Sequence, residues 1–181
     1  PRMGDYCDGI ERINIELSIQ NKLALCEALR AFLEGELPLH TGDATISREE
    51  LLGDRRRDAL NYLEAVRLRW EWLLENLDLP LAEAEPRFVS YGVVAGELTN
   101  RAARPRLFHR LQDYSVRVSW KSELKPRLEK IFDGQMFAPV VEQLRAIHKQ
   151  VLRGRVFVAL HMHAGDGNVH TNIPVNSDNY E

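Results

Sequence analysis

Three imidazoles crowd one short stretch near the C-terminal end of the sequence, His161-Met162-His163-Ala164-Gly165-Asp166-Gly167-Asn168-Val169-His170. Neutral imidazole is a ligand for zinc, iron, nickel or copper, and a catalytic cation typically takes three protein ligands and leaves a fourth position for water or substrate. On a strand, residues two apart share a face, so His161 and His163 are neighbours while Met162 belongs to the opposite face. Gly165-Asp166-Gly167-Asn168 tolerates positive φ, which lets the chain reverse sharply and bring His170 back beside His163. The pattern points to a divalent-metal site of His163 and His170, with His161 as a further candidate ligand.

The elements that must position these residues are a strand on each side of the turn. Val156-Phe157-Val158-Ala159-Leu160 is apolar, rich in β-branched and aromatic types and preceded by Gly154, the pattern of a buried strand. Val169-His170-Thr171-Asn172-Ile173 continues beyond the turn. A helix from Pro139 through Leu152, with Val140, Leu144, Ile147 and Leu152 toward the core, feeds the first of these strands.

His163-Ala164-Gly165-Asp166-Gly167-Asn168-Val169-His170 resembles the H-x-G-D-G-N-x-H signature of the C-terminal domain of FAD-linked oxidases. This is the family of D-lactate, D-2-hydroxyglutarate and glycolate dehydrogenases with a vanillyl-alcohol-oxidase-type flavin fold. The resemblance implies that His163 and His170 ligate a divalent metal such as zinc, iron or manganese, which holds a 2-hydroxy acid beside FAD. It also implies that Asn172, two residues after the second histidine, lies near the substrate. Where the family has glycine before the first histidine this chain has Met162, preceded by the additional His161. The family's metal-binding glutamate and catalytic histidine would fall beyond Glu181, and no stretch resembles the flavin-binding domain. With Pro1 at its start, the sequence reads as an internal piece of a longer FAD-dependent oxidoreductase. Its partners would be a small 2-hydroxy acid and the flavin domain of the same parent chain.

Upstream, Ile13-Asn14-Ile15-Glu16-Leu17-Ser18-Ile19 alternates apolar and polar residues, the pattern of a half-buried strand. Asn21 can cap a following helix whose apolar face carries Leu25, Cys26, Leu29, Phe32 and Leu33, with Gly35 as its stop. Ser47-Arg48-Glu49-Glu50 has the form of a capping box. Beyond it Ala59, Leu63, Val66, Trp70, Leu73 and Leu77 recur at helical steps, predicting a long amphipathic helix that ends near Pro80. Tyr114 through Trp120 alternates again as a strand, followed by a helix from Lys121 to Phe132 started or interrupted by Pro126 and stopped by Gly134.

Taken together these elements predict an α+β fold with more helix than strand: a mixed or antiparallel sheet covered by helices, as in the ferredoxin-like domains of the resembled family. Residues 1–35 and 113–181 are read as parts of the substrate and metal domain, and 36–112 as a helical insertion. Arg117, Lys121 and Lys125 have the chemistry to meet a carboxylate but match no motif, so surface charge is the simpler reading. His109 and His148 read as ordinary surface or packing residues.

Composition removes several function classes. With 24 Lys+Arg against 27 Asp+Glu, a net charge of −3 lacks the basic excess of a dedicated nucleic-acid binder. Arg101, Arg104 and Arg106 read as a solvated loop or partner-facing surface, and Arg55, Arg56 and Arg57 as an exposed helix face. No apolar run approaches the ~20 residues that cross a bilayer. Cys7 and Cys26 lack metal-type spacing and fit a reducing cytoplasm, with peripheral membrane attachment open to the parent. Two alternatives stand beside the flavoprotein reading. One is a metal hydrolase using His161, His163 and His170 with Asp166 activating water. The other is a non-catalytic interaction module built around the long helix.

Overall fold

The computed structural model describes residues 3–41, 46–84, 106–163 and 168–174, with the backbone alone described at 3–8, 160–163 and 168–169. Helix α1 spans Met3–Glu34, and the strand expected over Ile13–Ile19 does not form. From Ile10 to Glu34 there is no glycine or proline, so a helix nucleated anywhere in the segment propagates through it at one hydrogen bond per residue. Alternating isoleucines cost only tenths of a kcal/mol each against that. Ile19, Leu25, Cys26, Leu29 and Leu33 are buried at helical spacing, while Ile13 is 45% exposed. Asn21 is therefore a mid-helix residue rather than a cap, and the helix ends before Gly35, as its sequence implies.

Helix α2, Arg48–Leu52, starts where the capping motif places it, with Ser47 Oγ accepting from the Glu50 amide at 3.3 Å. The expected long helix is split. Gly53 takes φ +51° and donates its amide to the Glu49 carbonyl, so the chain turns before α3 begins at Arg55 and runs to Glu75. The apolar stripe survives the split: Ala59, Leu63, Val66, Trp70, Leu73 and Leu77 are all buried.

The chain divides into two compact units, residues 22–73 with 118–153, and residues 1–21 with 74–117 and 154–181. In the first, the described side chains build a helical core of Leu25, Leu29, Leu33, Leu63, Trp70, Leu124, Leu128, Phe132 and Leu144. Helix α5, Lys125–Ile131, follows a π-helical turn at Trp120–Leu124. Gly134, at φ +110°, leads into a 3-10 turn and then α6, Ala138–Arg153. Val140 and Leu144 of α6 are buried, Leu152 is exposed. Arg56 donates to the Gly35 carbonyl at 3.0 Å, Arg55 lies over the Phe137 ring at 4.6 Å and Arg57 pairs with Asp54 at 2.9 Å, so all three arginines read as an exposed helix face have partners.

The second unit holds the N-terminal part of α1, a short helix α4 at Leu107–Gln112, and an antiparallel hairpin of β1, Ala159–His163, and β2, Asn168–Asn172. The amides of Leu107 and Phe108 donate to the carbonyls of Leu79 and Leu77, docking α4 on the chain that leaves α3. The strand expected over Tyr114–Trp120 does not form. Side chains capture its backbone first: Asp113 accepts from the Ser115 amide at 3.0 Å, Tyr114 sits at φ +62°, and Ser119 accepts from the Ser122 amide at 3.2 Å. With both upstream strands absent, the ferredoxin-like α+β expectation is overturned, and the architecture is helical. Among the described residues the strands form only the two-stranded hairpin.

Candidate functional site

The histidine motif lies on this hairpin. Its register pairs Ala159 with Asn172, Leu160 with Thr171, His161 with His170, Met162 with Val169 and His163 with Asn168. Directly paired residues of an antiparallel ladder occupy the same face, as do residues two apart on one strand. His161, His163, Asn168, His170 and Asn172 therefore occupy positions on one face, and Leu160, Met162, Val169 and Thr171 positions on the other. The residue directly opposite His170 is His161, and His163 is one diagonal step away. The turn residues Gly165, Asp166 and Gly167 lie outside the described residues.

The hairpin has a fixed point that the sequence reading missed. Asn14 in α1 pairs with Val158, immediately before β1: its Nδ2 donates to the Val158 carbonyl at 2.8 Å, and its Oδ1 accepts from the Val158 amide at 2.7 Å. The carboxamide thus satisfies both backbone groups of one residue as a neighbouring strand would, and ties the start of β1 to a helix. Asparagine has poor helix propensity because its side chain competes for backbone groups. An asparagine inside an apolar stretch was the available signal, read instead as the polar half of a strand.

Two residues earlier, Arg12 anchors the same helix. Its guanidinium meets both carboxylate oxygens of Asp78 at 2.6 and 2.7 Å, and Arg106 reaches Asp78 at 3.2 Å. This pairing holds the Asp78 carboxyl below the usual carboxylate range, chiefly through the Arg12 hydrogen bond. Arg106 is thus engaged by a carboxylate, whereas Arg101 and Arg104 lie outside the described residues.

The entry and exit of the hairpin differ from the expected buried strand. Val156, Phe157 and Ile173 are 48%, 40% and 59% exposed, and His170 and Asn172 are also exposed. The strand begins at Ala159, three residues later than the apolar run suggests. Of the basic candidates, Arg117 is exposed and donates to the Tyr114 carbonyl at 3.2 Å; Lys121 and Lys125 belong to the other compact unit. His109 Nδ1 accepts from the Arg106 amide at the start of α4, and His148 stacks on Trp120 with ring centroids 4.8 Å apart, so both serve packing or capping.

Among the described residues, Glu123 and Tyr62 are tied into the helical unit. Glu123 accepts from the Ser119 amide at 2.7 Å and from Trp70 Nε1 at 3.2 Å, and pairs with Arg69. Tyr62 donates to the Glu123 carbonyl. Cys26 is buried, and desolvation pushes its thiol up to about 12, which leaves it protonated and inert as a nucleophile.

Among the described residues no three His, Cys, Asp or Glu side chains form a metal-sized group; the side chains of His161 and His163 are outside that set. No described helix is long and apolar enough to cross a membrane. Compared with protein-family models, curated proteins and solved structures, the chain matches none.

Proposed function

We propose that the chain is the substrate- and metal-binding portion of a FAD-dependent oxidoreductase that oxidises a D-2-hydroxy acid by hydride transfer to flavin. The observation that carries this reading is the eight-residue run from His163 to His170, which resembles the signature of that enzyme family. The reading rests on this local motif and on the hairpin that contains it, not on the surrounding helices.

His163 and His170 would hold a divalent cation such as zinc, iron or manganese; neutral imidazole suits zinc and iron, and manganese is implied by the resemblance. Once bound, such a cation supplies Lewis acidity to the hydroxyl and carboxylate oxygens of the substrate. Asn172, paired in register with Ala159 and two residues beyond His170, would orient the substrate by hydrogen bonding from its carboxamide. Asn14 acts through the hairpin, holding the base of β1 so that the strand carrying His163 has a fixed origin. The flavin would be bound by another domain of the parent chain, whose place would be cytoplasmic, with peripheral membrane attachment open to it.

An anaerobic visible spectrum of the intact parent polypeptide tests the proposal, recorded before and after a panel of D-2-hydroxy acids. The expected result is bleaching of a flavin band by one acid, lost in the His163→Ala/His170→Ala variant. A correctly folded parent that carries no flavin contradicts it.

A further inference from the structure

We propose that residues 149–157 dock on the surface of a membrane rich in anionic phospholipid. The proposal stands apart from the metal reading and uses none of its residues. Between Glu142 and Asp166 the sequence carries no Asp or Glu, whereas Arg145, Lys149, Arg153 and Arg155 are all cationic. In a chain of net charge −3 this is a local excess of positive charge. Arg145 is paired with Glu129 at 2.8 Å. Among the described residues no carboxylate pairs with Lys149, Arg153 or Arg155, so their charge is not neutralised locally.

Charge alone marks a solvated face, and the neighbours distinguish this one. Every residue from 152 to 157 is exposed, and three of them are large and apolar: Leu152 at 47%, Val156 at 48% and Phe157 at 40%. A single exposed apolar residue is ordinary. Three within one short run, interleaved with Arg153 and Arg155, have the composition of an interfacial anchor. Lys149 and Leu152 are three apart on α6, so they share a side of the helix just before it ends at Arg153. Beyond the helix the Arg155 guanidinium lies over the Phe157 ring, 5.6 Å from its centroid, which puts a cation and an aromatic ring on one side of the chain. Because the run is continuous, the proximity of these groups follows from the chain itself: six residues span at most about 20 Å. An anionic bilayer fits both halves of the pattern. Headgroup phosphates meet the guanidinium and ammonium groups, and the acyl boundary beneath takes Leu152, Val156 and Phe157. A free anion or a nucleic-acid backbone uses the charges and leaves the three apolar side chains in water.

The test is co-sedimentation of the full chain with vesicles of equal parts phosphatidylglycerol and phosphatidylcholine in about 50 mM salt, against phosphatidylcholine alone. Binding is expected on the anionic vesicles only, with release when the salt is raised to about 500 mM. A cation near such a surface contributes roughly fivefold, so Arg153→Glu/Arg155→Glu should weaken binding at least about 25-fold. Arg57→Glu/Arg127→Glu makes the same change of net charge at exposed positions of α3 and α5 and should cost less than about fivefold. Leu152→Ser/Phe157→Ser leaves the charge unchanged and should cost about tenfold. All six positions are exposed, so the urea midpoint should barely move and lost binding is not lost fold. An unaltered chain that ignores anionic vesicles overturns the proposal, and so does equal loss in the two charge-reversed variants. Full binding by the serine variant overturns it too, because charge alone then suffices. Retention on heparin without vesicle binding also overturns it and gives the stretch to an acidic macromolecule instead.

Discussion

The helical unit around Trp70 and the histidine hairpin are built on opposite terms. Around Trp70 a stripe of apolar side chains, Ala59, Leu63, Val66 and Leu73, is buried, and the polar groups that enter are paired: Glu123 with Ser119, Trp70 and Arg69, Tyr62 with the Glu123 carbonyl. The hairpin is two strands of five residues whose flanking apolar residues are exposed, and a two-stranded hairpin is marginal in water without further packing. The contrast separates stability from chemistry. The histidine motif lies on the hairpin, whose described flanks Val156, Phe157 and Ile173 are outside the core, and binding residues tend to lie on segments that carry little packing burden.

The strongest way to sharpen that contrast is to damage the core. Trp70 has no exposed surface, so Trp70→Ala should cost about 3–5 kcal/mol, seen as a fall in the urea midpoint. A loss below about 1 kcal/mol would mean that the Trp70 pocket is not a packed core. Cys26 reports on the same region. In a Cys7→Ser background, its alkylation at pH 8 should be more than about a thousandfold slower than that of an unfolded thiol, because both burial and protonation protect it. Prompt labelling under native conditions would break the comparison.

On the hairpin side, Asn14→Ala removes both hydrogen bonds to Val158 and should cost about 1–2 kcal/mol. The effect is expected to be local: hydrogen exchange at Val158 and along β1 should accelerate, while Cys26 stays protected. Uniform acceleration across the chain would instead make Asn14 a global core residue. The smallest effect concerns His148, which stacks on Trp120 and whose pKa lies below its ordinary value, first through burial and then through Lys22. Above pH 6.5 both folded and unfolded forms are neutral. As pH falls below that value the unfolded state takes up the proton first, so this contribution to stability is lost on acidification until the folded pKa is passed. His148→Gln should flatten that part of the acid limb, measured by urea unfolding from pH 7 to pH 5.

Helices in which one periodicity ran without competition were legible in the sequence. The stripe from Ala59 to Leu77 is buried as its spacing demands, and Ser47 caps as its motif demands. Alternation misled where a second periodicity was present. Ile13 to Ile19 fits period two, yet Ile19 also continues the helical stripe of Cys26 and Leu33, and an unbroken run of helix-compatible residues decided the outcome. In Tyr114 to Trp120 the alternation was real but Asp113 and Ser119 committed the backbone to turns and caps. The histidine motif was legible as a hairpin because glycines and asparagine mark the reversal. Its register was not, since pairing is set by turn geometry that residue types do not specify. Nor was the Asn14 contact, which joins positions 144 residues apart.

The central claim is that the hairpin is the ligand-binding element of this chain, and the six histidines allow it to be tested directly. A zinc titration followed by the imidazole carbon-bound proton resonances distinguishes all of them at once. The account predicts that His163 and His170 shift together and saturate at one equivalent, while His40, His109 and His148 stay where they are. Zinc shifts spread over all six, or confined to His40, His109 and His148, would contradict it.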